Sequence, residues 1–158
     1  MKIAHDLLGT QEMALSDSHF FIPQQFALII SKLDDPRLFV TIGDRRILIF
    51  PVDAWTNYMD RLHKFRDPRL LQQIHHQEMF GAPPSKLDKS HRLKIAAMHY
   101  KFLDEAARVK VMGTKEYLQV FTLENYDLIF NETIKDKTAI VSEDKLGYAP
   151  VSHTSIVE

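Results

Sequence analysis

Leu87-Asp88-Lys89-Ser90-His91-Arg92-Leu93-Lys94-Ile95-Ala96 is the stretch around which this chain is organised. An acid is followed four residues later by an arginine, across a tight polar loop. An alternating strand begins at Arg92. A degraded counterpart stands at Ala14-Leu15-Ser16-Asp17-Ser18-His19-Phe20-Phe21-Ile22-Pro23. Two such stretches in one chain make an internal repeat.

Working outward, the same elements flank both stretches. Leu7 to Leu15 reads as a lead-in and a short strand, and Phe20-Phe21-Ile22 continues extended until Pro23 stops it. Pro23 suits the first turn of a helix, whose apolar face is Phe26, Ile29, Ile30 and Leu33. Leu38 to Ile42 and Ile47 to Phe50 form a hairpin around Gly43-Asp44-Arg45-Arg46. After Pro51 a second helix carries Trp55, Tyr58, Met59 and Leu62. Asp67-Pro68 caps a connecting helix with Leu70, Leu71 and Ile74 on its apolar side, ended by Gly81 and Pro83-Pro84. Past the 87–96 stretch, Met98 to Ala107 reads as a short helix. Val109 to Met112 and Leu118 to Phe121 form a second hairpin around Gly113-Thr114-Lys115-Glu116. Thr122 caps a last helix carrying Leu123, Tyr126 and Phe130. Periodicity fades near Asn131, and residues 137–158 read as a polar tail.

Strand, short helix, hairpin and helix thus occur twice. Leu15 falls opposite Asp88, Ile22 opposite Ile95 and Pro23 opposite Ala96. Further on, Gly43 falls opposite Gly113, Phe50 opposite Phe121 and Trp55 opposite Tyr126. The few residues of drift are placed in a loop deletion. The bounds that follow are 7–65 for the first repeat, 66–79 for the helical connector, 80–132 for the second repeat and 133–158 for the tail. Each half alone has too little core to be stable. The expected fold is α+β, with the halves packed as a pseudo-dimer within one chain.

The composition excludes several classes. The 158 residues are 45% hydrophobic, enough for a core and too many for wholesale disorder. There is no cysteine, so disulfides and thiolate metal sites are excluded, and a reducing, intracellular compartment fits. Met1-Lys2-Ile3-Ala4-His5-Asp6 has no signal-peptide core, and no run reaches the length of a membrane span. The formal net charge of −1 is poor support for a general nucleic-acid binder. The positive charge is concentrated, however, in Arg61, Lys64, Arg66 and Arg69 with His63, His75 and His76. A second concentration is Lys86, Lys89, Arg92 and Lys94 with His91. A basic middle on a neutral chain makes a local patch.

The doubled pattern resembles the MraZ family, whose members carry two tandem AbrB-like (SpoVT-AbrB) domains. The family's mark in each half is Asp-x-x-x-Arg, often with glycine before the arginine, then a strand ending in Ile-Pro. Here the second half keeps Asp88 and Arg92, with His91 at the usual glycine and Ala96 at the usual proline. The first half keeps Ile22-Pro23, but Leu15 stands at the acid and His19 at the arginine. Gly43, Phe50-Pro51 and Trp55 also match, as do Gly113, Phe121 and Tyr126. The resemblance covers roughly residues 7 to 130. It implies a pseudo-dimeric barrel of two tandem repeats and a transcriptional regulator, cytoplasmic and nucleoid-associated. It also implies a homo-oligomer, ring-shaped in the family, that engages repeated sites on double-stranded DNA. It implies no cofactor.

The chemistry of the stretch admits that reading. Arg92 pairs with Asp88 and reaches a phosphate or a guanine edge, while Lys89 and Lys94 supply phosphate contacts. His91, His19 and Ser18 complete the candidate DNA-binding set, with Asp88 as the loop brace. The bland alternative is that the ion pair only braces a turn and the lysines are ordinary surface. No Gly-rich phosphate loop, nucleophile elbow or His-Glu-x-x-His pair marks an enzyme. His75 and His76 point about 100° apart on a helix and do not share a metal easily. The altered first motif also fits a structural oligomer that has lost DNA binding. A third reading is an AbrB-fold antitoxin whose tail binds a toxin, although such chains carry one domain rather than two. Arginine stays charged at every accessible pH, whereas histidine changes charge near neutrality. A first loop that faces DNA is therefore expected to bind more tightly as pH falls.

Overall fold

The order strand, strand, helix, strand, strand, helix runs twice along the chain, with one further helix between the runs. The first run is β1 (Leu7–Ala14), β2 (His19–Phe21), α1 (Gln24–Ser31), β3 (Leu38–Gly43), β4 (Arg46–Pro51) and α2 (Val52–Leu62). Helix α3 (Pro68–Met79) intervenes. The second run is β5 (Ala82–Ser85), β6 (Arg92–Lys94), α4 (Ala97–Phe102), β7 (Arg108–Lys115), β8 (Leu118–Thr122) and α5 (Leu123–Lys135). The structure, a computed structural model, describes residues 3–135. The tail expected over 137–158 lies outside them.

The protein is α+β, with an antiparallel six-stranded sheet in the order β1-β7-β8-β4-β3-β5 and a two-stranded ribbon of β2 and β6. The six-strand order reads the same when each strand is replaced by its counterpart. β1 and β5 therefore do not pair within their own halves: β1 adds to β7 and β5 adds to β3. At the middle, Leu48 pairs with Gln119. In the ribbon, Phe20 pairs with Leu93. Each of these residues faces its own counterpart, which is where a two-fold relation between the halves would pass.

Side-chain contacts repeat with the strands. Trp55 and Tyr126 are each the fourth residue of their helix. Phe50 meets Trp55 nearly edge-on at 5.1 Å, and Phe121 meets Tyr126 in the same way at 6.0 Å. Where the first half uses rings, the second uses cations. Tyr117 stacks on Phe50 at 4.5 Å, while its counterpart Arg46 sits over Phe121 at 5.0 Å. Phe39 packs on Trp55 at 4.4 Å, while its counterpart Lys110 sits over Tyr126 at 5.3 Å. A cation can replace a ring there because the aromatic face is electron-rich. Arg61 bonds Glu116 at 3.0 Å and Arg45 reaches Glu132 at 3.4 Å, the same helix-to-turn contact with acid and base exchanged.

Local chemistry explains the boundaries. Pro23, Pro51 and Ala96 stand at the starts of α1, α2 and α4 without a side-chain cap. Asp67 accepts from the Arg69 amide at 2.9 Å, with Pro68 at the first helical position. Thr122 accepts from the Asn125 amide at 3.1 Å and starts α5. The main core gathers Phe20, Phe26, Ile30, Leu93, Val109 and Val111 between ribbon, sheet and α1. A second core joins Phe50, Tyr58, Met59 and Leu62 to Leu70 and Ile74 of α3. Each fully buried side chain of this size contributes about 1.5–3 kcal/mol. Gly9 and Gly113 pair where β1 crosses β7; Gly9 has φ +110°, and a Cβ on Gly113 would lie 2.6 Å from the Leu7 carbonyl.

Several expectations need correction. Pro23 is the N-cap of α1 rather than part of its first turn. Pro83-Pro84 do not merely end a helix, because they lie in β5. A strand with two prolines is tolerated there because β5 is an edge of the sheet. Leu71 is 43% exposed, and the inward side of α3 is Leu70, Ile74 and Gln77. Helix α4 stops at Phe102, where Asp104 and Glu105 take positive φ. The second hairpin extends beyond Gly113 to Lys115, since Gly113 is itself paired with Leu118. Helix α5 continues past Asn131 to Lys135.

His99 is fully buried, with Nε2 2.8 Å from the Phe80 carbonyl. Burial pushes its pKa below the ordinary 6.5, while the Phe80 hydrogen bond opposes that shift in part. The unfolded chain therefore takes up this proton first. The stability that His99 supports is present above about pH 6.5 and is lost as pH falls below it. Urea unfolding at pH 7.5 and pH 5.5 should show that loss. His99→Gln, which can still donate to Phe80, should flatten it.

Candidate nucleic-acid interface

The ribbon positions the site. Phe20 and Leu93 are 1% and 0% exposed and point into the core. Side chains alternate along a strand, and directly paired residues share a face. The rungs His19–Lys94 and Phe21–Arg92 therefore both face outward. Of the six residues expected to contact DNA, the fold brings Arg92, Lys94 and His19 onto one ribbon face. It places Ser18, Lys89 and His91 in the two loops that feed that ribbon. Phe21 joins them as the outward ring of the Phe20-Phe21 pair. Period-two alternation from the buried Phe20 was the signal for it.

The two loops are linked reciprocally. The Ile22 amide donates to the His91 carbonyl at 3.3 Å, and the Ile95 amide donates to the Ser18 carbonyl at 3.0 Å. Each strand thus ends on the other half's loop, and neither loop can move without disturbing the ribbon.

In the second loop Asp88 organises the turn. Its Oδ1 accepts from the amides of Ser90 at 2.8 Å and Arg92 at 2.9 Å, and its Oδ2 accepts from Arg92 Nε at 2.8 Å. The Arg92 backbone amide, then the Arg92 side chain and the Ser90 amide, hold its carboxyl below the usual carboxylate range against some desolvation. The loop's bracing is therefore present at neutral pH and weakens only as pH falls through that lowered value. The ion pair engages Nε, whereas bidentate contacts to phosphate or guanine commonly use the terminal nitrogens. Lys89 is exposed, and with Lys86 and His91 it rims a cleft of about 270 Å³ beside the end of α1.

The first loop does the same job with different atoms. Leu15, placed opposite Asp88 by the sequence, is buried and bridged to Phe20. The organising acceptor is Ser16. Its Oγ accepts from the amides of Ser18 at 3.3 Å and His19 at 3.0 Å. The loop is one residue shorter, so a short neutral hydroxyl replaces the carboxylate, and no fixed acid remains to pair with residue 19. His19 Nδ1 lies 2.9 Å from Ser18 Oγ. Asp17 is exposed in this loop and adds a negative charge beside the face.

His91 has φ +62°, the left-handed region. The resemblance places glycine here, and glycine adopts that conformation without strain. The other basic cluster lies elsewhere, on α2, α3 and the turn between them, with Arg61 already bonded to Glu116. His75 and His76 are exposed, and among the described residues no three histidine or acidic side chains form a metal-holding group.

No family model matches the chain. It is 18% identical over 129 residues to the transcriptional regulator MraZ of Nitratidesulfovibrio vulgaris, a match covering 80% of this chain and 87% of that protein. The chain resembles a transcriptional regulator. The likeness extends over elements of both halves. Among the described residues no helix is long and apolar enough to cross a membrane.

Replacing the strained His91 should report on the loop directly. His91→Gly is expected to raise stability by about 0.5–1 kcal/mol, the difference between a strained left-handed residue and the entropy cost of glycine. Thermal unfolding of the two proteins checks the sign.

Proposed function

We propose that this protein is an MraZ-like, sequence-specific DNA-binding transcriptional regulator, acting as a homo-oligomer on repeated sites. The reading divides it into two AbrB-like repeats over 7–65 and 80–132, joined by the connector 66–79. The six-stranded sheet and the ribbon would then be the walls of a pseudo-dimeric barrel. The single observation that carries the reading is the outward face of β2 and β6, where Arg92, Lys94 and His19 stand together.

A two-stranded ribbon fits the major groove of B-DNA. Arg92 is the base-reading residue in this reading, steadied by Asp88, and Lys94 on the ribbon with Lys89 on the loop meet phosphate. His91 and Ser18 line the approach from either end. Weak contacts by each subunit sum along repeated sites, because linkage raises effective concentration. No cofactor or metal takes part, and the protein works in the cytoplasm on the nucleoid.

A second reading has its own support. The first loop has His19 in place of an arginine, Ser16 in place of an acid, and the exposed Asp17. That arrangement favours a structural oligomer of the same fold that no longer binds DNA. The antitoxin reading turns on a tail beyond the described residues.

A gel-shift against the DNA upstream of the protein's own gene separates the first two. Arg92→Ala should weaken binding by about 1–3 kcal/mol if Arg92 reads a base. If it meets only phosphate, the salt slope should drop by about one unit instead. Unaltered binding with lowered thermal stability would leave Arg92 as a brace only.

His19 is tested in the opposite direction. Arginine at this position would bring a permanent charge and a planar fork of five donors, which an imidazole does not offer. His19→Arg should therefore tighten DNA binding at pH 8. Binding unchanged by this substitution would remove the first loop from the interface and favour the structural oligomer.

A further inference from the structure

The end of helix α2 and the turn between β7 and β8 enclose an open cleft of about 520 Å³, away from the β2–β6 ribbon. That volume falls within the range of about 300–1,000 Å³ in which proteins hold small molecules. Its apolar wall is largely aromatic. Tyr58 and Tyr117 line it, and both stack on Phe50, at 5.1 Å and 4.5 Å. The two tyrosine planes are inclined by only 20°. Leu62 is buried in the same wall, and Phe65 stands there 44% exposed. Near-parallel rings give a flat molecule something to stack against.

The polar groups of the cleft are chiefly donors. Arg61 gives Nη2 to Glu116 Oε2 at 3.0 Å, and most of its five N–H groups remain. Thr114 Oγ1 accepts from Gln119 Nε2 at 2.9 Å, so its own proton is left to donate. Lys64 is exposed, and among the described residues no acid pairs with it. Arg61 and Lys64 against Glu116 leave the lining at a formal +1. The Arg61–Glu116 bond also ties the helix to the turn, so the cleft is formed before anything enters it.

The second half shows that the fold does not require this lining. Its own helix-to-turn contact, Arg45 to Glu132 at 3.4 Å, is made without it. There Ile129 is the seventh residue of α5, as Tyr58 is of α2. Arg46 takes the place of Tyr117 and lies over Phe121. The pair of tyrosines and the Lys64 cation are additions of the first half alone.

We propose that the cleft between α2 and the β7–β8 turn is a binding site for a small planar aromatic carboxylate. The rings of Tyr58 and Tyr117 take its aromatic face, with Phe65 at its edge. Lys64 and the remaining N–H groups of Arg61 take the carboxylate, and Thr114 donates a further hydrogen bond. One negative charge balances the lining, and an acceptor-only group suits its donors. The site stands apart from the DNA-binding reading and does not rest on it.

The test titrates the full chain with 2-naphthoate, a two-ring carboxylate, by isothermal calorimetry and amide chemical-shift mapping. Binding should be one to one, with a dissociation constant on the order of 0.1–1 mM for a molecule of this size. Shifts should centre on residues 58–65 and 114–117. The neutral 2-naphthamide should bind about tenfold more weakly, because it lacks the charge-assisted hydrogen bonds. Lys64→Glu should weaken naphthoate about tenfold and leave naphthamide unchanged, with Lys64→Met as the milder variant. Phe65→Ser should weaken both probes. Both positions are exposed, and circular dichroism verifies that the fold is kept. No binding of naphthoate at millimolar concentration, or shifts centred elsewhere, overturns the site. Equal affinity for acid and amide, unaltered in Lys64→Glu, overturns the carboxylate as its ligand.

Discussion

The pairing of Phe20 with Leu93 at the centre of the β2–β6 ribbon is the contact on which the site depends. It takes one residue from each half and buries both. That single inward rung forces its two neighbours outward, and those neighbours carry His19, Lys94, Phe21 and Arg92. A slip of one residue would reverse every side chain in the ribbon, turning the cations inward and the core residues out. The register is protected at both ends, where the Ile22 and Ile95 amides each bond to the opposite half's loop.

The sheet enforces the same interdependence on a larger scale. β1 has its partner in β7 and β5 has its partner in β3, so neither half closes its own hydrogen bonds. Backbone groups left unpaired in a core are costly. The two halves therefore complete one sheet together. The junction of β4 and β8 is also where polar groups are buried. There Arg46 donates to Gln119 at 2.6 Å and Gln119 donates to Thr114 at 2.9 Å.

Much of this was legible in the sequence, for a physical reason. Elements whose faces differ in polarity announce themselves through periodicity, so the two hairpins, α2 and the caps at Asp67 and Thr122 were readable. So was the correspondence of Trp55 with Tyr126. What was not legible depends on where an element ends up. Pro83-Pro84 reads as a terminator and becomes β5 only because an edge of β3 is open to it. Leu71 reads as core because its own helix cannot reveal which of two apolar stripes faces the sheet. The alignment of Leu15 with Asp88 counted residues. The folded loop is one residue shorter, and the hydroxyl of Ser16 does the work of the carboxylate. Asp88 and Arg92 were found by their spacing, but no spacing indicates that Phe39 and Lys110 are counterparts, because a ring and a cation share nothing except their place over an aromatic neighbour.

That last substitution bears on what the surface can do. The folding constraints are nearly symmetric, and a ring-on-ring contact is met equally well by a cation over a ring. The halves are free to differ in charge wherever packing alone is served. At the ribbon this freedom has a consequence. The first strand offers His19 and Phe21 outward, and the second offers Arg92 and Lys94 at the matching places. A backbone arranged like a palindrome thus carries a face whose positive charge lies on one strand. A polyanion lying across that face would meet unequal ends, which gives the face a direction. The direction is set by chemistry at two positions and the symmetry by backbone hydrogen bonds, so residues 19 and 21 can change the first without disturbing the second.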